Sequence, residues 1–205
     1  MQDLDRFWED MHARDDGTWL TGTGINAILD FYKITTADFQ NQTVLEIGIG
    51  RKTVTQWLSR AADTLYCSDI SHTALDHARS MAKACFHTLD LDQCPPVDVA
   101  LCHLVFVHCD DDEVRRILKS IKLNPNGRVF CQFSGLKHAN SIVQASDHVK
   151  MLLTEAGPHF FREQAEIEQM VTDSGMTITK CFERDPGSYH GWNGQIWFCL
   201  ECQKN

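Results

Sequence analysis

The sequence predicts an α/β fold: a mostly parallel seven-stranded sheet sandwiched between helical layers, with an antiparallel C-terminal hairpin and an N-terminal helical cap. Two observations predict it. Short runs rich in β-branched and aromatic residues alternate with runs of helical period, and strands separated by helical crossovers pair in parallel. The last two strand-like runs are instead joined by a Gly/Pro-containing loop with no helix between them, which makes a hairpin. A length of 205 residues is enough for one domain with a sizeable core. The expected division is a helical cap over 1–40, a ligand-binding core over 41–133, a helical insertion over 134–162, and a C-terminal helix and hairpin over 163–205.

Taken in order, residues 4 to 33 are rich in aromatic and charged positions, and Leu20, Ile25, Ile28, Leu29 and Tyr32 give a second helix one apolar face. The β-rich run Thr43 to Ile47 stops at Gly48 and Gly50, as a buried strand entering a turn does. Thr53 to Ala62 continues at helical spacing through Val54, Trp57 and Leu58. The alternation then repeats: strand Thr64 to Ser68, helix His72 to Ala84, strand Cys85 to Leu89, strand Val97 to Phe106, helix Asp111 to Ile121, strand Gly127 to Phe133. Asp110, Asp111 and Asp112 suit a helix start, where carboxylates meet the positive end of the dipole. Asn124-Pro125-Asn126-Gly127 suits a turn. Gly135 to Phe161 carries three histidines and helical propensity, which gives the expected helical insertion. Glu163 to Gly175 reads as a helix closed by its glycine, followed by strands Met176 to Glu183 and Gln195 to Cys202.

Composition narrows the function classes. A formal net charge of -9 disfavours a nucleic-acid partner, which needs clustered Lys and Arg. The N-terminal residues lack the basic and apolar segments of a signal peptide, and no apolar stretch approaches the roughly 20 residues of a spanning helix. A cytoplasmic protein with no membrane partner is the expectation. Nine scattered cysteines, an odd number, fit reduced thiols, with Cys67, Cys102, Cys131, Cys181 and Cys199 filling core strands. No metal site is expected, because Cys199 and Cys202 form the only C-x-x-C pair.

The chemistry-bearing residues sit at strand ends. Glu46-Ile47-Gly48-Ile49-Gly50 lets a ligand approach backbone N–H groups that a Cβ would block. Asp69 follows the next strand, where a carboxylate accepts from both hydroxyls of a ribose, and Asp69 with Ser71 also suits a cap of the following helix. Asp90 ends a third strand, where it accepts from an adenine amino group while Leu91 offers backbone polar groups. Strand ends on one side of a parallel sheet surround one crevice.

With these residues in place, the sequence resembles the class I S-adenosyl-L-methionine (SAM)-dependent methyltransferases. The resemblance runs through Val44 to Gly50, Leu65 to Ser71 with Ala78 and Arg79, Leu89 to Asp92, Val97 to Asp110 and Leu123 to Gly127, in the family's order, over roughly residues 41 to 133. It implies a three-layer Rossmann-like sandwich and SAM as cofactor. It also implies that Glu46, Gly48 and Gly50 line the methionine part, that Asp69 holds the ribose, that Ile70, Asp90 and Leu91 frame the adenine, and that Cys102 and His103 lie beside the sulfonium. The sequence departs from the family at two positions: Lys52 takes the place of the third glycine, and Asn126 that of a turn glycine.

Methyl transfer from a sulfonium requires alignment of the acceptor and exclusion of water, and a hydroxyl acceptor adds a use for a base. His108, which follows a core strand, is the candidate catalytic residue. His138, His159 and His190 fall on insertion or loop segments and read as surface residues. Trp19, Phe160, Phe161, Tyr189 and Trp192 are candidate walls of an acceptor pocket. The expected acceptor is a small polar molecule, a sugar or metabolite hydroxyl; the sequence leaves the oligomeric state open. Two other readings stand beside this one: a non-catalytic SAM-binding relative acting through a partner, and a nicotinamide-dependent oxidoreductase, against which Thr53 stands where the dinucleotide signature needs Gly or Ala.

Overall fold

The computed structural model describes residues 4–13, 25–50, 52–136, 151–154, 157–184 and 195–205. Two N-terminal helices, α1 (Leu4–Ala13) and α2 (Ile25–Tyr32), precede β1 (Thr43–Ile47), α3 (Lys52–Ala61), β2 (Thr64–Asp69), α4 (His72–Ala78) and β3 (Ala84–His87). After a 3-10 turn over Thr88–Gln93 come β4 (Val97–Cys102), α5 (Asp111–Ser120) and the long β5 (Leu123–Leu136). The chain closes with β6 (Met151–Thr154), β7 (Gly157–Arg162), α6 (Gln164–Asp173), β8 (Met176–Arg184) and β9 (Gln195–Lys204).

The strands lie in the order β3-β2-β1-β4-β5, all parallel, and β9 pairs antiparallel with both β5 and β8. The expected mostly parallel sheet with its antiparallel C-terminal hairpin is present, but among the described residues it has nine strands rather than seven, because β7 also pairs with β5 and β6 with β7. Side-chain alternation builds two cores, because successive residues of a strand face opposite sides. Leu45, Ile47, Cys102, Cys131 and Leu200 pack with Val114, Ile117 and Leu118 of α5 and Ile167, Met170 and Val171 of α6. Val44, Cys67, Leu101, Phe130 and Cys199 pack on the other face with Ile28 and Tyr32 of α2, Leu58 of α3 and Leu75 of α4. The middle layer therefore buries both of its faces, as a parallel sheet must.

Local sequence explains the element ends. Ser71 caps α4, its Oγ accepting from Ala74 N, and Asp110 caps α5, its Oδ1 accepting from Glu113 N at 2.9 Å. Gly175 turns the chain out of α6 at φ +74, and Asn126 adopts φ +66, the left-handed region that Asn tolerates better than most residues.

Three expectations need correction. The insertion was expected to be helical, yet residues 151–154 and 157–162 form a β-hairpin; its residues 137–150 lie outside the described residues. β5 runs three residues past the expected end at Phe133, and this extension gives β7 a parallel partner through Ser134↔Phe161 and Gly135↔Arg162. Cys181, expected to fill the core, is exposed because β8 is the outermost strand and turns that residue to its open face. Among the described residues no helix is long and apolar enough to cross a membrane.

Candidate active site

The parallel register brings several strand ends together. Ile47 of β1 pairs with Ser68 of β2 on one side and Cys102 of β4 on the other, so Gly48, Asp69 and His103 emerge side by side. Gly48 has φ +77, and a Cβ there would come within 2.2 Å of Val105 Cγ2, so only glycine serves both the turn and the close approach of the post-β4 loop. Its N–H is held by Ser68 O at 2.8 Å. Lys52, in place of a third glycine, simply begins α3.

Asp69 is buried and accepts from Ile49 N at 2.7 Å and Ser71 N at 2.8 Å. Burial pushes its carboxyl up, opposed by the Ser71 N–H, the His12 imidazole and the Ile49 and Gly50 N–H groups. One carboxylate thus organises the glycine turn and the entry to α4. Glu46, also buried, takes a weak bond from the Cys67 thiol, and desolvation raises its carboxyl to about 8. Two acids at adjoining strand ends suit a ligand that brings a cation and hydroxyl donors.

The third strand end is less uniform. Asp69 pairs with His87, so the 3-10 turn carrying Asp90 and Leu91 starts at the same end of the sheet. Asp90 is exposed there, whereas the Leu91 side chain belongs to the core and its carbonyl accepts from Cys94 N. Ile70 is half-buried, and its carbonyl accepts from His87 Nε2 at 3.0 Å.

Helix α1 lies against this region through residues whose role sequence reasoning missed. Glu9 accepts from Ser71 Oγ at 2.8 Å and from the Thr73 hydroxyl and backbone N–H. Those bonds, led by the Thr73 hydroxyl, hold its carboxyl down at about 2 against the opposing pull of desolvation. Trp8, one residue earlier, meets the His108 ring edge-on at 4.9 Å. The partners are more than 60 residues apart, and no local pattern announces them.

On the other side of β4 the side chains are neutral. Cys102 is fully buried in the core, and His103 follows it, its Nδ1 3.3 Å from the Tyr32 hydroxyl. Burial holds the His103 imidazole down at about 4 and the Tyr32 phenol well above its usual range. His108 Nδ1 donates to Pro158 O at 2.8 Å, and burial depresses its basicity. His159, expected at the surface, is buried instead and hydrogen-bonded to Ser134 Oγ at 3.1 Å; burial lowers it to about 3. The hairpin causes this difference, because β7 lies against the extended β5 and turns His159 inward.

Arg162, which sequence reasoning also missed, fastens the loop that carries His108. Its buried guanidinium donates to Phe106 O at 2.9 Å, to Cys109 O at 2.6 Å and to Asp111 Oδ1 at 2.9 Å. Phe160 N adds a bond to Val107 O at 2.7 Å. Of the candidate wall residues, Phe161 is buried against His159 and Phe160 is half-buried, while Trp19, Tyr189 and Trp192, with His138 and His190, lie outside the described residues.

Residues 44–127 match a family model described as a methyltransferase domain. No curated protein matches the sequence. Among solved structures, the chain is similar to a magnesium protoporphyrin IX methyltransferase from Synechocystis with bound SAM, at 15% identity and TM-score 0.64, covering 100% of this chain and 99% of that one. It is also similar to a SAM-dependent methyltransferase from Methanosarcina mazei, at 16% identity and TM-score 0.65, covering 89% and 99%. A third, the 1,6-didemethyltoxoflavin-N1-methyltransferase of Burkholderia thailandensis with bound 1,6-didemethyltoxoflavin and S-adenosylhomocysteine, has 15% identity and TM-score 0.67, covering 98% and 87%. At these identities the three share the fold.

Proposed function

We propose that this chain is a SAM-dependent methyltransferase of the class I, Rossmann-like fold, supported by the match of residues 44–127 to a methyltransferase-domain model, and that it methylates a hydroxyl of a small polar acceptor in the cytoplasm, with His108 as the general base. The observation that carries the proposal is the bond from His108 Nδ1 to Pro158 O. A carbonyl only accepts, so the ring proton resides on Nδ1 and Nε2 keeps its lone pair. Burial lowers the imidazole's basicity, which keeps that lone pair free at neutral pH.

The residues at the strand ends fit the cofactor. Glu46, Gly48 and Gly50 would hold the methionine part, Asp69 the ribose hydroxyls, Ile70, Asp90 and Leu91 the adenine, and Cys102 and His103 the neighbourhood of the sulfonium. The support is the Gly48 turn, which admits no Cβ, and the buried carboxylate of Asp69 at the end of β2 beside it. SAM, when bound, supplies an electrophilic methyl group. The chain's own part is to orient the acceptor, to keep water out with α1 and the β6–β7 hairpin, and to take up the hydroxyl proton at His108 Nε2. A net charge of -9 supports a small acceptor over nucleic acid.

The test is radiolabelled methyl transfer from SAM to a panel of small hydroxyl compounds, run on the wild-type protein and on His108→Gln. The expected result is transfer that falls about 100- to 10,000-fold in the variant at unchanged S-adenosylhomocysteine affinity, the range a general base supplies. Equal rates for the two proteins would remove His108 from the chemistry.

A further inference from the structure

Three polar side chains beside the proposed transfer site have buried atoms without a hydrogen-bond partner among the described residues. Gln132 is 1% exposed, and both its amide oxygen and its amide nitrogen are unpartnered. Trp197 is 7% exposed with an unpartnered indole Nε1, and His103 Nε2 is likewise buried and unpartnered. Buried polar groups in folded proteins find partners in the great majority of cases, because an unpaired one forfeits its hydration. Three together in a well-packed sheet mark a place built for something else.

The register places them together. Cys102 pairs with Cys131, so the residues that follow, His103 and Gln132, continue side by side on the face of the sheet that α2 covers. The rings of Tyr32 and Phe31 on α2 lie against His103 and confirm that face. Gln132 opposes Cys199, and Ser134 opposes Trp197, so Gln132 and Trp197 are diagonal neighbours across the β5–β9 pair, with Cα atoms about 7–8 Å apart. Trp197 in turn lies 6.0 Å, ring to ring, from His159. All three stand at the C-terminal edge of β4 and β5, where the His108 loop begins.

Their chemistry is specific. Tyr32 Oη and His103 Nδ1 are hydrogen-bonded at 3.3 Å between neutral groups, and with the hydroxyl as the donor Nε2 carries the ring's N–H. The set then offers an indole N–H, an imidazole N–H and a carboxamide with its donor and acceptor adjacent. A carboxylate would meet the donors but would also face the lone pairs of Gln132 Oε1. A neutral cis-amide edge, with C=O and N–H on the same side as in a lactam or ring urea, satisfies the carboxamide on both atoms and leaves its carbonyl a second lone pair for an N–H.

We propose that Gln132, Trp197 and His103 form the acceptor-recognition set, and that the acceptor is an uncharged molecule presenting a cyclic-amide edge beside the group that is methylated. This rests on the methyltransferase reading above and narrows its acceptor. Tyr32 acts as a positioning residue that fixes the His103 tautomer.

The probe is 2-pyridone, the smallest ring with that edge, added to the full chain saturated with S-adenosylhomocysteine, with benzoate and benzene as comparisons. The Trp197 indole N–H is followed by 1H–15N NMR and assigned with Trp197→Phe. The expected result is a shift of that signal by 2-pyridone, weaker effects from benzoate and benzene, and a loss of 2-pyridone affinity of about 10- to 100-fold in Gln132→Leu. The same variant should melt at a higher temperature than the wild type in the ligand-free state, because leucine removes two unpaired atoms; a glutamine with a purely structural role would move it the other way. No shift at Trp197, tighter binding of benzoate, unchanged 2-pyridone affinity in Gln132→Leu, or a lower melting temperature for that variant each overturns the proposal. S-adenosylhomocysteine binding is measured separately by calorimetry: if it binds and 2-pyridone does not, the acceptor inference alone has failed, and if it does not bind, the methyltransferase reading has failed with it.

Discussion

Replacing Arg162 with methionine probes how the His108 loop is held. The guanidinium is 3% exposed and reaches Phe106 O, Cys109 O and the Asp111 carboxylate, so three bonds join β7 to the segment between β4 and α5. Hydrogen bonds to a charged group contribute about 1.5–3 kcal/mol each, which puts the two carbonyl bonds at about 3–6 kcal/mol. Asp111 is 52% exposed in its side chain, and solvent screening limits that ion pair to about 0–1 kcal/mol. Methionine recovers part of the packing against Phe133 and Phe160, over whose rings the guanidinium lies, and it also relieves the arginine's desolvation. The expected loss is about 3–4 kcal/mol, or about 10 °C in melting temperature for a domain of this length. Urea unfolding followed by circular dichroism measures it. Asp111→Asn should cost under about 1 kcal/mol in the same assay. A loss below about 1 kcal/mol for Arg162→Met, or equal losses for both variants, would refute the assignment of the stability to the two carbonyl bonds.

Two further predictions concern the crevice. Glu46, raised by burial to about 8 from an ordinary 4.5, contributes stability that is complete below pH 4.5 and is lost as pH rises through 8. The lowered histidines His103, His108 and His159 pull oppositely, their contribution being lost as pH falls below 6.5, so the difference between wild type and variant isolates the acid. Glu46→Gln should therefore gain on the wild type in melting temperature between pH 5 and 8, and a constant difference across that range would contradict the shift. Gly48→Ala forces a Cβ to 2.2 Å from Val105 at φ +77, and the variant should lose about 2–4 kcal/mol in urea unfolding; a loss under about 1 kcal/mol would mean that the turn relaxes freely.

The parts legible in the sequence are those that local chemistry decides. Thr43 to Ile47 announces its strand by β-rich composition, Gly48 its turn, Asp110 its cap, and Asp69 its place at the end of β2, and each holds because the governing contacts are a few residues away or set by the parallel register. The β6–β7 hairpin is different: β7 exists because β5 runs on to Leu136 and offers an edge, a tertiary fact that outweighs helical propensity. His159 is buried for the same reason, since its partner Ser134 is 25 residues away on that extension. Gln132 gives a signal that could have been used, a lone carboxamide between Phe130 and Phe133 in a run that is otherwise strand core. Glu9 gives none, because an acid on an amphipathic helix looks like any solvated charge until Ser71 and Thr73 are placed beside it.

The central claim is tested most directly by calorimetric titration of the purified chain with S-adenosylhomocysteine. The account predicts one site per chain and a weakening of at least about 100-fold in Asp69→Ala, which removes the carboxylate expected to take two hydroxyl bonds. Absence of binding to the wild-type chain, or equal affinity in the two proteins, would contradict it.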